Sequence, residues 1–351
     1  MSVMYRRVLS QSYDRLLSHT RSTHNKLQFS SFHFQSNSSS KPALGFLIQF
    51  RNFSLTNINT LRMRFVQFKA LKGGPQRLGV QLSCDGDIID VSGVDHSIPN
   101  NLVQFLQSGT STLEKAKRIV AAGKSVTSLS EVELLAPVTR PDKILCVGLN
   151  YKAHCDEQKK PYPVEPFFFN KFPSTIVNPN GKVTHPPNTT KLDWEVELAV
   201  VMGRECRNVQ DSEALDYVFG YTIAQDISAR DWQSPKKNNG QWLFAKSMDT
   251  FCPLGPAVVI KEAFGAPSGK SIKCSINGSL KQDSNTDDLI HPVQHLIAFL
   301  SHCVTLQPGD VILTGTPGGV GLYSQPQQFL ARGDVIESEI NGIGKLVNTV
   351  A

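Results

Sequence analysis

The chain has almost no acid near its amino terminus. Up to Arg64 the basic residues are Arg6, Arg7, Arg15, Arg21, Lys26, Lys41, Arg51, Arg62 and Arg64, against the single acid Asp14. This segment carries more than the whole formal charge of +6, so the rest is nearly neutral and a nucleic-acid-binding role loses its main support. No stretch approaches the ~18 apolar residues of a membrane span. Cys-x-x-Cys is absent. The seven cysteines, at positions 84, 146, 155, 206, 252, 274 and 303, are odd in number and read as reduced, mostly buried small side chains, not a disulfide frame or zinc site. Cys155 is set apart by lying within a candidate catalytic stretch. There is no internal repeat. The Gly-rich stretch Gly309–Gly321 lacks the Gly-Lys-Ser/Thr end of a P-loop and the following helix of a Rossmann fingerprint.

What remains is ordinary globular material: 351 residues, 40% hydrophobic and 19% charged, enough for one large or two modest domains. Residues 1–61 are rich in Arg and Ser, and Tyr5, Val8, Leu9, Tyr13, Leu16 and Leu17 fall near helical spacing among the arginines. This reads as an organellar presequence, mitochondrial rather than plastid. Residues 63–139 are expected to form a small accessory domain without catalytic pattern. It comprises an antiparallel meander from Met63 to Val91, then a helix from Leu102 to Ala122 broken at Ser108-Gly109. Residues 140–351 are expected to be the catalytic domain.

Its chemistry centres on Asp193-Trp194-Glu195-Val196-Glu197-Leu198-Ala199-Val200-Val201-Met202-Gly203. The pattern predicts a strand, which puts Glu195 and Glu197 on one face. Carboxylates ordinarily stay in water. Two that lie one pleat apart and dry would instead call for a hard divalent cation, Mg²⁺, Mn²⁺ or Ca²⁺. A second strand, Tyr217–Ala224, releases Gln225-Asp226-Ile227-Ser228-Ala229-Arg230-Asp231-Trp232-Gln233. Asp226 is either a third metal oxygen or a helix N-cap. Arg230, one turn on with Gln233, suits a planar carboxylate. Downstream of the strand Ile144–Gly148, a helical turn places His154 and Glu157 three apart, as a general base with its carboxylate or as a surface pair. Lys246, in apolar surroundings, is open to a substrate carboxylate, to proton transfer or to snorkelling.

The Pro-rich stretch Pro161–Pro187 reads as a lid or binding loop, with Lys171 facing an anionic substrate or solvent. The backbone N–H groups and hydroxyls of Thr314 and Thr316 in the Gly-rich loop form either a carboxylate seat or a tight turn. Asn277-Gly278 marks a hairpin. A helix is expected from Asp288 to Val304; its His291, His295 and His302 lack the Glu of a zinc motif and read as core or solvated residues. Glu337 and Glu339 read as a solvated edge.

Together, Gly148-Leu-Asn-Tyr-Lys-Ala-His154-x-x-Glu157, Glu195-x-Glu197-Leu, Asp226-x-Ser-Ala-Arg230-Asp-x-Gln233, Ala245-Lys246-Ser and Leu313-Thr-Gly-Thr-Pro317-x-Gly-Val-Gly321 resemble the fumarylacetoacetate hydrolase superfamily, in its motif order, from about Met63 to Ala351. The resemblance implies an α+β, mainly β fold with a rolled mixed sheet, and a homodimer. It implies Mg²⁺ or Mn²⁺ on Glu195, Glu197 and Asp226, a lid helix with His154 and Glu157, and Arg230, Gln233, Lys246 and Thr316 around a substrate carboxylate. Within the superfamily it points to a mitochondrial (matrix) enzyme of small 2-oxo acids, an oxaloacetate tautomerase. Acylpyruvate hydrolase and oxaloacetate decarboxylase remain as alternatives, with either His154–Glu157 or Lys246 as proton carrier. The small amino-terminal part, and Asn150 and Tyr151 where the namesake enzyme has a further acid before the histidine, speak against fumarylacetoacetate as substrate.

Overall fold

The computed structural model describes residues 62–351; the expected presequence lies outside them. A 12-stranded mixed sheet forms the centre. The strand Val196–Met202 runs through its middle, between Val218–Gln225 on one side and Val311–Leu313 on the other, antiparallel to both. Side-chain alternation sends Val196, Leu198, Val200 and Met202 into one core and Ala199 and Val201 into another. The stretch expected as one strand from Asp193 to Gly203 is in two pieces, Leu192–Asp193 paired with Ser228–Ala229 and Val196–Met202 buried on both faces, so Glu197 lies within the central strand and Glu195 just before it.

A five-stranded sheet, with Ser271–Ile276, Val335–Ile340 and Gly344–Val350 at its heart, packs on the first core through Ile272, Cys274, Ile336 and Leu346. The second core is closed by the helices Leu102–Gln107 and Thr110–Ala122 and by Phe65. Residues 63–139 thus share both sheet and core with the remainder: Arg64–Ala70 pairs with Cys252–Ile260 through Arg64↔Val259 and Phe65↔Val258. A short meander buries too little alone, and the larger sheet supplies the missing partner.

The two-piece helix, the meander and the Asn277-Gly278 hairpin stand where the sequence places them. Two expectations need correction. The stretch Pro161–Pro187 is not a free loop: Phe167–Lys171 is an antiparallel strand on Ile144–Gly148. The later helix begins only at Val293, because Pro292 caps it in an extended conformation, so His291 falls outside it. Among the described residues no helix is long and apolar enough to cross a membrane.

Gly220 leaves no room for a side chain against the neighbouring strand. A Cβ there would lie 2.2 Å from the carbonyl oxygen of Val259 in the neighbouring strand. Gly220→Ala is expected to lower stability by about 1–3 kcal/mol, as overpacking does, read as a lower denaturant midpoint.

Candidate metal and substrate site

Strand polarity assembles the site. Val196 faces Gln225 across the antiparallel pair, so the start of one strand meets the end of the next, and the Asp226 N–H donates to the Glu195 carbonyl at 2.8 Å. Val311–Leu313 is antiparallel to the same strand and parallel to Ile144–Gly148. The Gly-rich loop and the helix Lys152–Glu157 therefore arrive at that same end.

There Glu195, Glu197 and Asp226 each offer an oxygen within 4.8 Å of the others. Their exposures are 4%, 1% and 0%. Lys246 Nζ bridges Glu195 Oε2 at 2.7 Å and Asp226 Oδ2 at 2.6 Å. Arg230 places Nη2 2.6 Å from Glu195 Oε1 and donates from Nε to Asp193 Oδ2 at 2.8 Å. Burial alone would push the Glu195 carboxyl up, but Lys246 and then Arg230 overcome it and hold it at about 2. Glu197 goes the other way. Burial, and then repulsion from Asp226 and Glu195, push its carboxyl well above the usual range, against Lys246 and the Gly315 N–H. Asp226 is also raised, by burial that outweighs Lys171 and Lys246. Burial would lower the Lys246 ammonium, but Asp226 and Glu195 raise it, so it remains charged.

The donor set fits a hard divalent cation. Asp226 Oδ1 is fully buried yet accepts no hydrogen bond; Lys171 Nζ stands 2.7 Å away, an ion-pair contact off the hydrogen-bond direction. Four buried carboxylates, Asp193, Glu195, Glu197 and Asp226, face three buried cations, Lys171, Lys246 and Arg230. With all four carboxylates ionised one negative charge is left over, and a dication would turn it to one positive, the sign that suits an anionic ligand.

A cavity of ≈ 260 Å³ opens on this cluster. His154, Glu195, Glu197, Arg230, Gln233, Lys246 and Thr316 line it, with Phe169, Trp242 and Tyr323 as aromatic walls. His154 Nδ1 lies 2.6 Å from Glu157 Oε1, and Glu157 Oε2 accepts the Gly319 N–H at 2.9 Å. Arg230 Nη1 donates to Gln233 Oε1 at 3.1 Å.

The profile of the fumarylacetoacetate (FAA) hydrolase C-terminal family matches residues 143–351. The chain belongs to the fumarylacetoacetate hydrolase family. It is 47% identical over 290 residues, 83% of its length and 91% of the relative's, to the mitochondrial oxaloacetate tautomerase fahd2 of Xenopus laevis. It is 46% identical to the mitochondrial oxaloacetate tautomerase FAHD2A of Homo sapiens, covering 82% and 91% of the two chains. Among solved structures, a fumarylacetoacetate hydrolase from Exiguobacterium antarcticum superposes with a TM-score of 0.71 at 34% identity, over 82% of this chain and 99% of that one.

Within this family fold Lys171 and Thr316 both have partners inside the protein. Lys171 does not line the cavity; its ammonium is engaged by Asp226, by the Ile227 carbonyl at 3.1 Å and by the Lys246 carbonyl. The Thr316 hydroxyl donates to the Val196 carbonyl at 3.0 Å and accepts from Gln282 Nε2 at 2.7 Å, so it braces the loop. The loop's N–H groups do seat carboxylates, but they are the protein's own. Gly315 donates to Glu197 at 2.6 Å, Gly319 to Glu157, and Gly321 to Asp193 at 2.7 Å. Gly319 has φ +101° and would bring a Cβ within 2.1 Å of the Lys281 carbonyl oxygen, so only glycine fits.

Asp193 was given no role from sequence. It accepts from Trp194, Gly321, Leu322 and Arg230. Its signal was present: Asp193, Glu195 and Glu197 repeat at the strand period. Asp193→Ala leaves Arg230 without one of its two carboxylates and is expected to cost about 3 kcal/mol or more of stability, measured by denaturant unfolding.

Proposed function

We propose that this protein is a metal-dependent oxaloacetate tautomerase of the mitochondrial matrix, converting enol- to keto-oxaloacetate. The observation carrying the reading is the buried Glu195–Glu197–Asp226 cluster beside a cavity lined by His154 and Arg230. It stands in a chain 46–47% identical to mitochondrial proteins bearing that name. The cavity is smaller than the ~300–1,000 Å³ of drug-sized pockets and suits a four-carbon diacid.

Glu195, Glu197 and Asp226 would hold Mg²⁺ or Mn²⁺, which supplies Lewis-acid stabilisation of the negative charge that develops on the C2 oxygen. The chain's own groups do the rest. Arg230 and Gln233 take a substrate carboxylate. Trp242 and Phe169 exclude water from one wall. Tautomerisation removes the proton of the C2 hydroxyl and adds one at C3, with no net gain or loss of atoms. His154 is the group for this transfer, with Glu157 steadying the positive ring. Lys246 serves as a fixed cation, because Glu195 and Asp226 already engage its ammonium.

The hydrolytic reading has its own support in solved relatives named as hydrolases, including a maleylpyruvate hydrolase from Sphingobium at 30% identity and TM-score 0.68. There His154 would activate water against a C–C bond. The higher identity of the tautomerases favours the first reading. A homodimer belongs to this reading and is checked by mass in solution.

Glu195→Ala is expected to abolish both Mn²⁺ binding by calorimetry and enol conversion, while circular dichroism shows a folded chain. Conversion that persists in this variant without metal would sink the proposal. His154→Ala is expected to keep Mn²⁺ binding and lose about 10²–10⁴ in kcat.

A further inference from the structure

Lysine and arginine contribute three side chains to the cavity lining: Lys160, Arg230 and Lys246. Arg230 is already held by Asp193 and Glu195, and Lys246 by Glu195 and Asp226. Lys160 is exposed and, among the described residues, its ammonium makes no ion pair.

The backbone of Lys160 is nonetheless fixed. It closes the helix Lys152–Glu157: the Lys160 N–H donates to the Cys155 carbonyl at 3.0 Å and the Lys159 N–H to the Asp156 carbonyl at 3.0 Å, with Lys159 in the left-handed region at φ +54°. Pro161 follows and restricts Lys160 further. The helix itself is tied down at both ends. At its start the Ala153 N–H donates to Asp288 Oδ2 at 3.0 Å. At its end Glu157 accepts from Gly319, and the Tyr323 hydroxyl donates to Gln158 Oε1 at 3.0 Å. The turn out of the helix thus roots an unengaged ammonium at the rim of the cavity.

Oxaloacetate carries a carboxylate at each end. Arg230 stands against Glu195, in the cluster where charge on the C2 oxygen is stabilised, so with Gln233 it takes the adjoining C1 carboxylate. The C4 carboxylate is bonded to C3, the carbon that receives the proton, and so lies towards the helix that carries His154. That helix ends in Lys160, the one lining lysine or arginine free to answer a second carboxylate.

We infer that Lys160 binds the C4 carboxylate and makes the site selective for dianionic over monoanionic 2-oxo acids. The inference rests on the tautomerase reading, which sets the end of the substrate that faces the carboxylate cluster.

The test uses the full chain with Mg²⁺. Lys160→Met keeps the length of the side chain and removes its charge; KM for enol-oxaloacetate is expected to rise about 3- to 10-fold with kcat and Tm unchanged. Calorimetry with malate and 2-hydroxybutyrate, four-carbon 2-hydroxy acids with and without a second carboxylate, reads the same contact without turnover. Wild type is expected to prefer malate, Lys160→Met to lose that preference by the same factor, and Lys160→Arg to keep it. Lys159→Met removes an equal charge one residue away, outside the cavity lining, and is expected to change neither measurement. A wild type without preference for malate, a Lys160→Met variant that retains it, or a Lys159→Met variant that loses it equally would overturn the inference. Wild-type enzyme that leaves the enol untouched refutes the tautomerase reading itself, whereas active wild type with an indifferent Lys160→Met variant refutes only the role of Lys160.

Discussion

Charge removed from water governs this molecule. Asp193, Glu195, Glu197 and Asp226 are buried side by side, and carboxylates in that position are costly unless each is answered. Lys246 answers two of them, Arg230 two, and Lys171 one. Glu197 is the least well served, holding a single backbone N–H from Gly315 while burial and then two neighbouring carboxylates push its proton affinity up. A cluster so poised has an evident use for a dication, which relieves the repulsion that the protein's own cations leave.

The rest of the fold can be read as the means of holding that arrangement. An antiparallel register brings Asp226 to Glu195, and a third strand delivers the Gly-rich loop to the same place. That one loop then donates backbone N–H groups to Glu197, to the partner of His154 and to the partner of Arg230. The carboxylate cluster, His154 and Arg230 are thereby set against one continuous piece of backbone, and a site held this way has little to reorganise.

Much of this was legible in the sequence, for reasons that differ by residue. The Glu195–Glu197 pair and the strand ending in Asp226 were visible because strand period and apolar runs survive without tertiary information. His154 and Glu157 were visible because three residues of helix is a local distance. Lys171 was misplaced because it lies on a strand, Phe167–Lys171, that seven prolines between Pro161 and Pro187 disguise as a loop. The sheet shared by residues 63–139 and the remainder is invisible for the same kind of reason: the pairing of Arg64 with Val259 joins residues far apart in the chain and leaves no local trace. Gln158 and Tyr323 meet only once the loop is folded over the helix, so spacing could not join them.

The central claim is that the carboxylate cluster and His154 move a proton and leave carbon–carbon bonds intact. It is tested most directly by mixing the full chain with enol-oxaloacetate, following the enol absorbance, and assaying pyruvate in the same samples, with Mg²⁺ and then with excess chelator. The account predicts rapid enol loss that requires the metal and yields no pyruvate beyond the uncatalysed background. Metal-dependent pyruvate formation, or enol loss indifferent to the chelator, would contradict it.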